Sequence, residues 1–289
     1  MMTIKKIFFN VTFPGLLLLS FTGTSKAQTL YNNGGLIHAT AGSIVQVNGG
    51  MENAKVTGNI KNYGTITVST NTNNGTVTLS SSSVMEGDGT YRVEQDWIND
   101  ATFIANNSTV EFFGNTQEFI TSTNGTVTTF HNLTLTGTGT ANNRKKSLKL
   151  VNANVDATGV LTLNDRELDT DVNTIFVMNT ALGAVTNNTT YLSEGFVSSL
   201  ANGSISRQTA NTGVYVFPTG SSLGTLRYRA VAITPQTNAA NTYTVRLVNN
   251  NATTDGYNVN LLDTGLCRLD TMFYHKINNT VGATPASID

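Results

Sequence analysis

The chain has 289 residues, a formal net charge of −1 at neutral pH, only 12% charged side chains and a single cysteine. This balance excludes the basic surface that a nucleic-acid binder needs, and the lone Cys267 excludes an internal disulfide framework or a cysteine-rich metal site. A hydrophobic share of 39%, with Val, Ile, Leu and Phe distributed along the chain, supports a continuous core and excludes disorder.

The first element in chain order is a targeting segment. Lys5 and Lys6 form a basic start, residues 7–21 are mostly apolar, and Ser25 and Ala27 are small residues at the two positions that a signal peptidase reads. Cleavage is expected before Gln28, giving a leader over residues 1–27. Asn10, Thr12 and Pro14 interrupt an apolar stretch already shorter than the ~20 residues of a membrane span. Because position 28 is Gln, no lipid-anchoring cysteine follows the leader.

Beyond the leader one cadence recurs: Gly64-Thr65-Ile66-Thr67-Val68, Gly75-Thr76-Val77-Thr78-Leu79, Gly125-Thr126-Val127-Thr128-Thr129 and, more loosely, Gly159-Val160-Leu161-Thr162-Leu163. Gly turns the chain, Thr suits an exposed pleated position and alternate aliphatics supply an inward face, so each copy reads as a strand. Strands are predicted at 43–47, 55–60, 65–68, 76–79, 90–93, 102–104, 109–113, 127–135, 147–151, 160–163 and 174–178. No sustained period of 3.6 residues interrupts them, so the fold class is all-β. Two strands per ~20 residues, with few two-residue hairpin signals, predict a β-solenoid, parallel and β-helix-like, over residues 28–200. Asn pairs at 32–33, 73–74, 106–107 and 142–143 are expected at its corners, where Asn tolerates left-handed backbone angles. After about residue 200 longer, more aromatic strands at 214–218, 226–234 and 243–248 predict part of a β-sandwich-like module over 201–289.

Candidate chemistry is sparse. A solenoid that cleaves polysaccharide needs convergent carboxylates, and the pairs on offer are Glu86 with Asp88, Glu94 with Asp96, and Glu111 with Glu118. His38, His131 and His275 lie far apart. The densest acidic stretch, 164–173, places oxygen ligands at Asp169, Asp171 and Asn173 like the opening of a calcium loop, although Thr174 stands where such a loop has its turn Gly. Calcium is the only cofactor this suggests. Arg144, Lys145 and Lys146 read as a solvated loop at a strand edge, and Tyr91, Trp97, Phe112 and Phe113 as core rather than as a sugar platform.

Several runs together carry a family resemblance. Ser108-Thr109-Val110-Glu111-Phe112-Phe113-Gly114, the stretch 128–135 and the stretch 159–163 are followed by Glu194-Gly195-Phe196-Val197-Ser198-Ser199, Gly203-Ser204-Ile205-Ser206-Arg207, Val216-Phe217-Pro218-Thr219-Gly220 and Arg227-Tyr228-Arg229-Ala230-Val231. Over roughly residues 30–235 this order resembles the N-terminal repeat region of Bacteroidetes-type surface proteins exported by the type IX, gliding-associated, secretion system. Thr219 departs from the pattern, standing where that block usually has an apolar residue. The resemblance implies secretion, an adhesin-like or structural role without catalytic residues, contact with glycans or other cell-surface components, and outer-membrane attachment through a C-terminal region beyond Asp289. The alternative expectation is a carbohydrate-active β-helix protein that binds or cleaves polysaccharide.

Overall fold

The computed structural model describes residues 2–4, 16–17, 29–70, 74–80, 82–224, 226–261 and 270–289. Cys267, Asn73 and the expected cleavage point lie outside the described residues. The chain is nearly all β, a parallel β-solenoid of about seven turns followed by antiparallel sheets. Each coil crosses three faces. On the first face lie Leu30–Asn32, Met51–Asn53, Val77–Leu79, Trp97–Asn99, Glu118–Thr121, Lys145–Lys149, Glu167–Asp169 and Phe196–Ser198, with Met2–Ile4 paired outside Leu30–Asn32. The second face carries Leu36–Ala39, Asn59–Asn62, Val84–Glu86 and Thr102–Ile104, then Thr128–Phe130, Ala153–Val155, Thr174–Val177 and Ser204–Thr209. The third carries Leu16–Leu17, Ile44–Asn48, Thr65–Ser69, Thr90–Val93, Thr109–Phe112, Asn132–Leu135, Leu161–Thr162 and Val185–Thr186.

Strands on each face pair in parallel with their equivalents one coil away, so inward side chains stack in files. On the third face the file runs Val45, Ile66, Tyr91, Val110, Leu133, Leu161, Val185. On the first it runs Leu30, Met51, Val77, Trp97, Ile120, Leu148. Tyr91, Trp97 and Phe112 are fully buried, and Trp97 packs edge-on to Tyr91 and Phe103, as the core reading requires, whereas Phe113 is only half-buried, with the Arg92 guanidinium over its ring. A buried aliphatic side chain contributes roughly 1.5–3 kcal/mol by leaving water. In this arrangement it does so only while the neighbouring coils are in place.

A coil therefore holds three strands, where the apolar alternation indicates two. Val77–Leu79 and Lys145–Lys149 on the first face fall on predicted strands, but the other first-face strands escape that pattern because several inward positions are polar. Asn32, Asn53 and Asn99 are buried: Asn32 donates to Asn53 Oδ1 at 2.9 Å, Asn53 to the Val84 carbonyl at 2.8 Å, and Asn99 to Thr128 Oγ1 at 3.0 Å. These amides tie one coil to the next from inside. Among the described residues of the Asn pairs expected to turn corners in the left-handed region, only Asn106 does so (φ 46°). The cadence glycines also divide into two kinds. Gly125 has φ 85°, whereas Gly159 is needed because a Cβ would overlap the His131 carbonyl of the preceding coil.

The change from parallel to antiparallel pairing falls on a single strand. Ser204–Thr209 pairs in parallel with Thr174–Val177 and antiparallel with Asn241–Val248, which pairs in turn with Tyr274–Val281. A second antiparallel sheet orders Tyr215–Phe217, Val231–Pro235 and Ala286–Ile288. The predicted strand at 226–234 is broken into Arg227–Tyr228 and Val231–Pro235. Tyr215, Phe217, Val231 and Ile233 belong to the same buried cluster as the solenoid core.

Arg207 closes the end of that core. It follows Phe130, Val155 and Val177 in the inward file of the second face, and it is fully buried. Its guanidinium donates to the carbonyls of Val216 (2.6 Å), Ala181 and Leu182 (both 3.1 Å) and lies over the rings of Tyr215 and Phe217. Burial lowers its pKa to about 10, which leaves it charged at neutral pH. Replacing Arg207 by Ala would empty the space of a large, fully buried side chain and leave three part-buried carbonyls without their donor, and the expected loss is about 3–5 kcal/mol in urea unfolding. Arg207→Lys should recover little of it, because an ammonium lacks the planar fork and the ring stacking.

Candidate functional site

Each of the carboxylates singled out from the sequence is bound to a partner of its own, although Asp96 lies close enough to Glu118 to help raise its carboxyl. Glu86 pairs with Lys61 at 2.9 Å, which with Asn59 holds its carboxyl below the usual range. Asp88 accepts the Asn107 N–H at 3.1 Å. Glu94 accepts the Thr70 N–H at 2.6 Å, one coil back, while Asp96 accepts the Phe119 N–H at 2.8 Å, one coil forward. Glu111 takes the Arg92 Nε–H and the Thr136 hydroxyl, each at 2.7 Å. His131 meets Asp156 at 3.0 Å and His275 meets the Arg229 carbonyl at 3.0 Å.

Arg144, Lys145 and Lys146 do not form the solvated loop expected of them. All three are buried. Lys146 Nζ lies 2.7 Å from Glu118 Oε1, both side chains fully buried, and donates to the Gly114 carbonyl at 2.8 Å. Arg144 donates to the Asp165 carbonyl at 2.5 Å and to the Glu194 carbonyl, with its guanidinium over Phe196. Lys145 approaches Glu167 at 3.8 Å, and Glu167 accepts hydroxyls from Ser198 (2.6 Å) and Ser222 (3.0 Å). Ser222 and Glu194 come from segments after the last full coil, which lie over this part of the first face. Sequence reading misses this because the covering residues are 50 or more positions away from some of the charges they bury.

Asp169 ends the first-face strand Glu167–Asp169, and Asp171 and Asn173 lie on the turn that leads from it to the second face. Asp169 is buried, and Asp169 Oδ1 accepts the Asp171 N–H at 3.0 Å. Burial raises the Asp169 carboxyl above its ordinary range. The Asp171 carbonyl accepts the Gly203 N–H at 2.7 Å and the Ser199 hydroxyl at 3.0 Å. Asn173 is buried, with its N–H on the Thr170 carbonyl at 2.7 Å. Among the described residues no three His, Cys, Asp or Glu side chains are grouped to hold a metal.

On the outer face of the antiparallel sheet a cleft of about 210 Å3 is lined by Asn202, Ser204, Thr244, Arg246, Lys276 and Asn278. Arg246 stands directly across from Lys276, and Thr244 across from Asn278, on neighbouring strands. Their neighbours Val245 and Ile277 face the other way, toward the core. Asp255, at the end of the short turn Ala252–Asp255, reaches Lys276 at 2.7 Å and Arg246 at 3.7 Å and accepts the Tyr274 hydroxyl. Those contacts hold its carboxyl below the usual range.

Comparison with protein families, with curated proteins and with solved structures finds no match. The reading of the cleft therefore rests on its own chemistry. Alternation on residues 243–248 marks a strand, but the pairing of Arg246 with Lys276 depends on a partner strand whose residues 274–281 alternate only weakly in hydropathy.

Two measurements test the buried charges and the acidic turn. Burial pushes Glu118 up to about 8 and Lys146 down, while the ion pair opposes both shifts. A native-state pKa raised from 4.5 means the folded protein binds the proton more tightly, so the Glu118 contribution to stability falls as pH rises from about 4.5 to about 8. Glu118→Gln should flatten that slope. Lys146→Met alone should cost about 3–5 kcal/mol, and Glu118→Leu with Lys146→Met should recover most of it. Calorimetric titration with calcium at millimolar ion is expected to give no heat, since the Asp169 carboxylate and the Asp171 carbonyl are engaged within the fold. Heat that is lost in Asp171→Ala would restore the calcium reading.

Proposed function

We propose that this chain is an extracellular, non-enzymatic surface protein in which the solenoid serves as a rigid spacer and the antiparallel sheet as a binding face. One observation carries the reading. Each of the six candidate carboxylates is engaged by a residue outside its own strand, Glu118 by Lys146 and Glu111 by Arg92, for example, so the acids act as fasteners along the stack. The leader over residues 1–27 and the resemblance to type IX-exported surface proteins supply the extracellular setting. Arg207 and Phe217, both within the resembling block, meet at the junction where the solenoid ends, which gives that block a structural role.

The polar cleft favours a second reading, in which the protein is a carbohydrate-active module that binds polysaccharide. A polysaccharide panel separates binding from turnover. Retention on cells or glycans without new reducing ends is expected. Release of reducing sugar, or of unsaturated products, would overturn the non-enzymatic assignment.

A further inference from the structure

The outer face of the antiparallel sheet has a composition distinct from the Thr and Asn surface of the solenoid. Tyr274, Lys276 and Asn278 alternate along one strand and so share that face. Across from them stand Val248, Arg246 and Thr244. At one end Tyr257, which is 52% exposed, packs edge-on to Tyr274 with ring centroids 5.9 Å apart. Amides and hydroxyls of Asn202, Ser204, Thr244 and Asn278 line the cleft. An apolar ring face, two cations and a row of neutral donors and acceptors thus lie along one short track.

We propose that this cleft binds an acidic saccharide, with its carboxylate between Arg246 and Lys276 and a sugar ring against the exposed face of Tyr257. The inference rests on the extracellular binding role proposed above. Asp255 already presents a carboxylate to the same two cations and to the Tyr274 hydroxyl, which shows that the site accommodates this group. Its contact with Arg246 is loose at 3.7 Å, and the guanidinium also donates to the Ala201 carbonyl. A planar guanidinium fork suits a carboxylate, and a half-exposed Tyr offers a rigid face with little rotamer entropy to lose. Ligand binding then exchanges one carboxylate for another, with Asp255 as the internal competitor. Roughly 300–1,000 Å3 is typical of pockets that engulf a drug-sized molecule. At about 210 Å3 this cleft grips one acidic residue of a longer chain.

The test is retention and titration of the whole secreted protein on polygalacturonate, with neutral dextran, dextran sulfate and inorganic phosphate as comparison probes. Binding to polygalacturonate over dextran is expected, with a loss of about tenfold or more in Arg246→Ala/Lys276→Ala, which is about 1.4 kcal/mol or more. Tyr257→Ala should lose several-fold, and Asp255→Asn should bind more tightly than the parent. A Lys55→Ala/Lys149→Ala variant, with the same charge change on the solenoid, should bind as the parent does. Unchanged melting temperatures separate these effects from misfolding. Equal loss in the two double variants, or a preference for dextran sulfate or phosphate over polygalacturonate, would overturn the proposal by revealing bulk charge attraction or a different anion. Absence of polygalacturonate binding while the protein still binds cells would reject the acidic-saccharide assignment and leave the surface role standing. Absence of both would count against both.

Discussion

The register between successive coils is the constraint on which everything else depends. In a parallel stack each strand has its hydrogen-bond partners in other coils, and each inward side chain meets its equivalent 18 to 30 residues along the chain. A shift of one residue would turn a whole file outward. The files tolerate large changes in side-chain size, from Val77 to Trp97 to Ile120, but they do not tolerate a change of parity. That explains why coil length varies mainly at the corners, where residues can be added without altering the phase of the next strand.

Polar groups inside such a stack must find partners within the stack. Asn32, Asn53 and Asn99 do so along the axis, and Glu118 and Lys146 do so across adjacent strands. Arg207 differs in kind: its acceptors are backbone carbonyls left at the place where regular pairing stops. A guanidinium has more donors than any other side chain, so it can satisfy several carbonyls at once while its planar faces cover aromatic rings. The antiparallel strands supply the remaining cover over the end of the solenoid and over the first face, and the charges of Arg144, Lys145 and Glu167 stay dry as a result.

The all-β solenoid, its strands on the third face and the change of texture near residue 200 were legible because Gly, Thr and alternating aliphatics mark half-buried strands directly. Most first-face strands, and Val84–Glu86 and Ala153–Val155 on the second face, were not. Residues such as Asn32, Glu118 and Lys146 read as surface, and their burial becomes visible only once the neighbouring coil is laid beside them. The same limit applies to the charge cluster at 144–146, whose cover comes from Glu194 and Ser222, and to the cleft, which needs Asn202, Arg246, Lys276 and Asp255 from four separate segments. Local periodicity reports which way a residue faces within its own strand and carries no information about what later closes over it.

The strand Ser204–Thr209, parallel on one side and antiparallel on the other, separates two properties of the molecule. Adding or deleting a coil upstream would lengthen or shorten the stack by about 4.8 Å, one strand spacing, and would leave every residue of the cleft in place. Changing Arg246, Lys276 or Tyr257 would alter the outer face without touching a core file. Stack length and the chemistry of the outer face are thus separately adjustable in this architecture, the first by duplication of whole coils and the second by point substitution.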